Sequence, residues 1–125
     1  RAIESRLVRP PRVMLVMPEG RVFSGEMFGP VATVVKVWHE ADAIAMANVT
    51  GYGVAAYVDA RDIGRVWRVS EALEYGMVGI NEGLISDTAA PFGGVKQSGT
   101  GREGSHYGLN DYINIKYLCM GGIGQ

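Results

Sequence analysis

Between Val31 and Ile80 the chain alternates short apolar runs with segments of helical periodicity, and this alternation constrains the fold more than any other feature. Val31 to Trp38 is β-branched and apolar almost throughout, with Lys36 its only charge. That is the pattern of a strand covered on both faces and central in a sheet. Glu40 to Asn48 carries alanines with Ile44 and Met46, and Gly51 and Gly53 follow where a helix should stop. Val54 to Val58 is a second apolar run. Asp62 then occupies an N-cap position before Ile63, Val66, Trp67, Ala72 and Leu73 at helical spacing, and Gly76 is expected at the C′ position closing that helix. Met77 to Ile80 makes a third strand. The order strand, helix, strand, helix, strand predicts an α/β fold with a parallel sheet and right-handed crossovers.

The flanks are less regular. Arg1 to Gly25 is a poorly defined lead-in in which Pro10, Pro11, Pro18 and Gly20 interrupt one short strand-like run, Val13 to Met17. After Asn81 the pattern gives way to a glycine-rich loop reaching about Gly101, longer than a plain connector needs. The chain holds 18 glycines, above an average usage of about 7%, and they crowd into the last third. Gly101 to Gly108 suits a short helical turn. Asp111 to Leu118 alternates, with Ile113, Ile115 and Tyr117 on one side and Tyr112, Asn114, Lys116 and Leu118 on the other, so a strand is expected there. Such a strand is an exposed edge unless something pairs with it.

Charge and composition exclude several functions. A net charge of −1 and a pI near 6.1 leave no basic field for nucleic acid or an anionic membrane, and no apolar run reaches the ~18 residues of a spanning helix. The single Cys119 cannot form an internal disulfide, which fits a reducing compartment. The start at Arg1, without Met or a signal-like stretch, is what a fragment would show.

Gly99-Thr100-Gly101-Arg102-Glu103-Gly104 has the spacing G-x-G-x-x-G. A dinucleotide fingerprint needs a buried strand before it and an acidic residue about 20 positions later. Neither is present, so the match is a coincidence of spacing. His39 and His106 have no Cys or carboxylate partner at ligand spacing, and no metal site is expected. Cys119, between Leu118 and Met120, reads as a packing residue. In Glu26-Met27-Phe28-Gly29-Pro30 a carboxylate and an aromatic two apart share one side of an extended backbone. They suit two ribose hydroxyls and a flat heterocycle; a structural Glu in a turn is the alternative. In Pro91 to Gly99, paired glycines permit close backbone approach and Phe92 is presented at a loop apex; packing against another domain explains this equally well.

Taken in order, Glu26-x-Phe28-Gly29-Pro30, Asn48-x-Thr50-x-Tyr52-Gly53-Val54-Ala55-Ala56 and Pro91-Phe92-Gly93-Gly94-x-Lys96-x-Ser98-Gly99-x-Gly101-Arg102-Glu103 resemble the C-terminal third of the aldehyde dehydrogenase superfamily. The resemblance runs from about Ser24 to Cys119 and is weak before Ser24. The first motif commonly has an acidic residue and Thr where this chain has Gly25 and Met27. Glu71 to Gly76, Gly79 to Ser86, and Gly104 to Cys119 look like the succinate-semialdehyde branch, and relatives acting on glutarate semialdehyde would look much the same.

The resemblance implies that residues 1–110 are the C-terminal part of the catalytic domain and that 111–125 are an oligomerisation strand and tail. It implies that Glu26 holds the nicotinamide ribose of NAD or NADP, with Phe28 packed beside the ring. Phe92 would line the aldehyde tunnel, and Ser86 would hydrogen-bond the substrate's distal carboxylate beside arginines supplied from upstream. Asp111 to Cys119 would pair with another subunit of a homodimer or tetramer. A cytoplasmic enzyme is implied, with the mitochondrial matrix as the alternative. The family's chemistry is attack of a cysteine thiolate on the aldehyde, hydride transfer to NAD(P)+ and release of the acid. Its nucleophilic Cys, general-base Glu, oxyanion Asn and phosphate-binding glycine loop all lie upstream of the first motif, so none is expected in this chain. Cys119 matches a tail cysteine, not the nucleophile. Two other readings are a truncated interaction module that docks through its terminal strand, and nucleotide binding through Gly99 to Gly104.

Overall fold

The computed structural model describes residues 10–25 and 27–124. The elements run β1 (Arg12–Leu15), α1 (Arg21–Ser24), β2 (Val31–Val34), α2 (Glu40–Asn48), β3 (Tyr52–Gly53), β4 (Ala55–Val58), α3 (Ile63–Ala72), β5 (Met77–Ile80), β6 (Val95–Lys96) and a 3-10 helix, Tyr107–Tyr112. The α/β alternation is as the periodicity predicts, and the two long pairings are parallel. β1 pairs with β2 in the register Arg12↔Val31 to Leu15↔Val34, and β4 with β5 from Ala55↔Met77 to Val58↔Ile80. The strands do not form one sheet: three separate two-stranded ladders occur, the third being β3 against β6, antiparallel.

This corrects the expectation for Val31 to Trp38. β2 ends at Val34, pairs with β1 alone and is exposed at every residue but Val31. The apolar run marks a surface made to be covered, and no described strand other than β1 pairs with it.

α3 is the best-anchored element. The Asp62 side chain accepts from the Arg65 N–H at 2.6 Å, satisfying one of the free donors of the first turn and contributing about 1 kcal/mol. Val66 of α3, 4% exposed, is the one buried hydrophobic among the described residues. Glu40 at the start of α2 accepts from Arg68 Nε and Arg65 Nε, both at 3.1 Å, tying the two helices together. The hydrogen bond from Arg68 is the main reason the Glu40 carboxyl lies below its ordinary range. At the other end Asn48 donates to the Ala72 carbonyl at 2.7 Å and accepts from Glu74 N at 2.9 Å. Asn81, at φ 51°, clamps the end of β5 to the loop after β4, accepting from Ala60 N and donating to Ala60 O at 2.9 Å each.

Gly76 is not the C′ residue of α3, whose C-cap is Leu73. It stands instead where a Cβ would lie 2.0 Å from the Gly93 carbonyl oxygen, so its missing side chain lets two backbones touch. The terminal strand is corrected as well. Asp111 and Tyr112 belong to the 3-10 helix, which begins at Tyr107 and not at Gly101. Beyond Ile113 the chain runs without a ladder partner among the described residues, with Ile115 98% exposed. A strand exists only as half of a hydrogen-bonded pair, and this segment has no second half here.

The chain exposes 10775 Å² for 13.5 kDa, whereas a free-standing monomer of that mass exposes about 6,500 Å². The chain exposes on the order of 4,000 Å² more than such a monomer.

Candidate functional site

The glycine-rich segment after β5 is a built structure, and the expected substrate residues meet in it. Ser86 and Phe92 line one cavity of about 210 Å³ together with Asp87, Thr88, Glu103 and Gly104. Phe92 and Glu103 also line a larger cavity of about 400 Å³, whose walls include Val54, Ser98, Arg102 and Tyr112.

Two strips of backbone hold this wall. Phe92 and Glu103 form an isolated antiparallel bridge, Phe92 N to Glu103 O at 2.8 Å and Glu103 N to Phe92 O at 2.7 Å. Ser105 N donates to Thr88 O at 2.9 Å, and the Asp87 side chain accepts from Ala89 N at 2.7 Å, closing the turn that follows Ser86. Between the strips, Arg102 directs one guanidinium nitrogen, Nη1, at three carbonyls: Gly94 at 2.7 Å, Gly101 at 2.9 Å and Thr100 at 3.0 Å.

The wall is fastened to the α/β layer through β6. Gln97 N donates to Gly51 O at 3.0 Å, and Ser98 Oγ accepts from Gly53 N at 3.0 Å. Lys96 Nζ reaches back to the carbonyls of Asn48 at 2.9 Å and Thr50 at 3.2 Å, and to Glu74 Oε2 at 2.6 Å. A cation there satisfies carbonyls just past the end of α2, where the helix dipole favours positive charge.

The structure places Phe28 elsewhere. Phe28 is 92% exposed on the approach to β2 and lines neither cavity. Glu26 lies outside the described residues. Gly99 and Gly104 take positive φ, 89° and 64°, in loop and turn; Gly104 lies against the carbonyls of Ala90 and Thr88 and precedes no α-helix. The segment Gly99 to Gly104 is thus a brace for the wall. His106 lies beside the Tyr107 ring at 3.9 Å, and Cys119 is exposed on the tail. Among the described residues no group of three His, Cys, Asp or Glu could hold a metal ion, and no helix is long and apolar enough to cross a membrane.

Chemically the smaller cavity offers an aromatic face, two hydroxyl side chains and two carboxylates, with neither a thiol nor a cation in its lining. It can orient a short carbon chain and donate a hydrogen bond to its polar end. In the sequence Arg102 stands only as one residue of the third motif, since its partners are backbone carbonyls, which no pattern of side chains announces.

Residues 4–118 match the aldehyde dehydrogenase family, reaching further upstream than the motifs alone indicated. The chain is 57% identical over 114 residues to glutarate-semialdehyde dehydrogenase of Pseudomonas aeruginosa, covering 90% of this chain and 24% of that protein. It is 55% identical over 112 residues to succinate-semialdehyde dehydrogenase [NADP(+)] of Escherichia coli, covering 89% of this chain and 23% of the other. The crystal structure of succinate-semialdehyde dehydrogenase from Burkholderia pseudomallei matches with a TM-score of 0.81 at 62% identity, over 84% of this chain and 22% of that one. The chain spans about a quarter of the length of the curated relatives it matches.

Proposed function

The chain belongs to the aldehyde dehydrogenase family, and on that premise we propose that it is the C-terminal part of an NAD(P)-dependent enzyme oxidising succinate semialdehyde to succinate. Its share of the work is a binding wall, and the reacting groups come from upstream. The observation that carries this reading is the meeting of Ser86 and Phe92 in one cavity of about 210 Å³. A hydroxyl and an aromatic face in one cavity suit a short carbon chain that ends in a carboxylate.

The lining also says what must be added. Asp87 and Glu103 share the cavity, and among the described residues no lysine or arginine does. An anionic substrate end would be repelled by this chain alone, so cations from the upstream part are required to hold it. Glutarate semialdehyde is one methylene longer, a difference worth about 0.8 kcal/mol or fourfold, which agrees with the similarity to dehydrogenases named for both semialdehydes.

The exposed Phe28 ring fits packing against a flat heterocycle, with Glu26 as the ribose acceptor. The bound nicotinamide would supply the hydride acceptor. This chain's residues position and enclose; none attacks the aldehyde. We place the enzyme in the cytoplasm, with the mitochondrial matrix as the alternative.

The test uses a hybrid in which this chain replaces the matching stretch of the E. coli relative. Ser86→Ala is expected to raise KM for succinate semialdehyde about 10- to 100-fold with little change in kcat, as loss of one hydrogen bond to a charged group is worth about 1.5–3 kcal/mol. An unchanged KM rejects the assignment of Ser86.

The unpartnered tail supports a second role. Ile113, Ile115 and Tyr117 are 57, 98 and 85% exposed, an apolar face that a homo-oligomer would cover by pairing Asp111 to Cys119 with another subunit. Ile115→Lys with Tyr117→Lys is expected to shift the hybrid to a smaller assembly in size-exclusion chromatography; an unchanged elution volume rejects this role.

A further inference from the structure

We propose that Arg102 is the positioning residue of the aldehyde-binding wall: by drawing the carbonyls of Gly94, Thr100 and Gly101 onto one guanidinium nitrogen, it fixes Phe92 relative to Ser86. The inference rests on the reading of that cavity as the substrate wall. Its geometric basis is independent of it.

Gly94 lies two residues after Phe92, and Thr100 and Gly101 lie just before Glu103, so Arg102 Nη1 joins the two strips on the far side of the Phe92–Glu103 bridge. Close contact between the strips needs such a joint. A Cβ at Gly93 would lie 2.3 Å from the Gly101 carbonyl oxygen. The Gly101 carbonyl oxygen of one strip therefore lies against the Gly93 α-carbon of the other, and the Arg102 guanidinium binds carbonyls of both strips beside that contact. The Gly94 contact is partly buried, which strengthens it relative to one in water. Among the described residues Arg102 is also the only cationic side chain lining the larger cavity.

The segment after Ser86 is tied on the other side of the Phe92–Glu103 bridge from Arg102, by the Asp87–Ala89 turn and the Ser105–Thr88 hydrogen bond. Release of Arg102 should leave Ser86 in place while Phe92 moves. The gap between carboxylate anchor and aromatic wall then changes, and this affects a substrate that uses both more than one that uses the ring alone.

In the hybrid, Arg102→Met is expected to lower kcat/KM for succinate semialdehyde about 30-fold and that for propanal less than about threefold, since misplacement of 1 Å can cost a hundredfold. Arg102→Lys should recover most of the loss, to within about fivefold, because three convergent carbonyls ask for a cation more than for a planar fork. Equal losses for both aldehydes together with a lowered Tm would reduce Arg102 to a purely structural residue and overturn the proposal, as would no loss at all.

If the parent hybrid itself shows no preference for the carboxylated aldehyde, the proposed substrate falls and hydrogen exchange decides the inference. The Phe92 and Glu103 amides should then exchange about tenfold faster in Arg102→Met, with the β4–β5 ladder unaffected. Unchanged exchange at both amides overturns it.

Discussion

Replacing Gly76 by alanine is expected to cost the hybrid enzyme about 3 kcal/mol or more of stability and about a hundredfold in kcat/KM, as overpacking and wall misplacement act together. A Cβ at this position would lie 2.0 Å from Gly93 O, 2.8 Å from Gly93 C and 2.9 Å from Gly94 Cα. All three are backbone atoms, so no side chain can swing aside. Gly76 N is also hydrogen-bonded to Gly53 O at 3.0 Å, and a Cβ at Gly53 would meet Glu74 O at 2.6 Å. Three backbones therefore pack in direct contact, one of them the loop carrying Phe92. Gly83→Ala is the control, since a Cβ there meets nothing within 4 Å. Thermal unfolding and steady-state kinetics of the two variants check the expectation. A Gly76→Ala enzyme within threefold of its parent would remove close backbone packing from the account.

The second large effect concerns the chain by itself. With Val66 its one buried hydrophobic among the described residues and an excess surface on the order of 4,000 Å², the isolated polypeptide is expected to unfold in urea without a cooperative transition. Cooperativity requires a shared core, and burial near 25 cal/mol per Å² of apolar area is what offsets chain entropy. Exposed Val13, Leu15, Met17, Trp38, Ile115 and Tyr117 should instead bind a hydrophobic dye or drive association. A sharp two-state transition in a dye-silent monomer would contradict this expectation.

What was legible in the sequence is what local chemistry decides. The spans of α2 and α3, the Asp62 cap and the short strands β4 and β5 follow from periodicity and capping within a few residues. Failures occurred where the partner is distant or absent. Val31 to Trp38 has the composition of a central strand, but only β1 lies beside β2, so composition announced a need for cover that this chain does not meet. The same holds for Asp111 to Leu118, whose alternation is real and whose ladder is missing. Gly76 has two uses for a missing side chain, ending a helix or admitting a backbone, and nothing nearby in sequence distinguishes them. In the candidate site, Ser86 and Phe92 were reached through family resemblance, and their shared cavity depends on the Phe92–Glu103 bridge, which no periodicity encodes. Arg102 and Lys96 act on backbone carbonyls, which carry no signature in a sequence.

The proposed role gives this chain the walls of a semialdehyde dehydrogenase site and not its reacting centre. The direct measurement is NAD(P)H formation from succinate semialdehyde by the isolated chain and by the hybrid. No turnover by the chain and sustained turnover by the hybrid is the predicted result. Multiple turnovers by the chain alone, or a folded hybrid inert toward the semialdehyde, would contradict it.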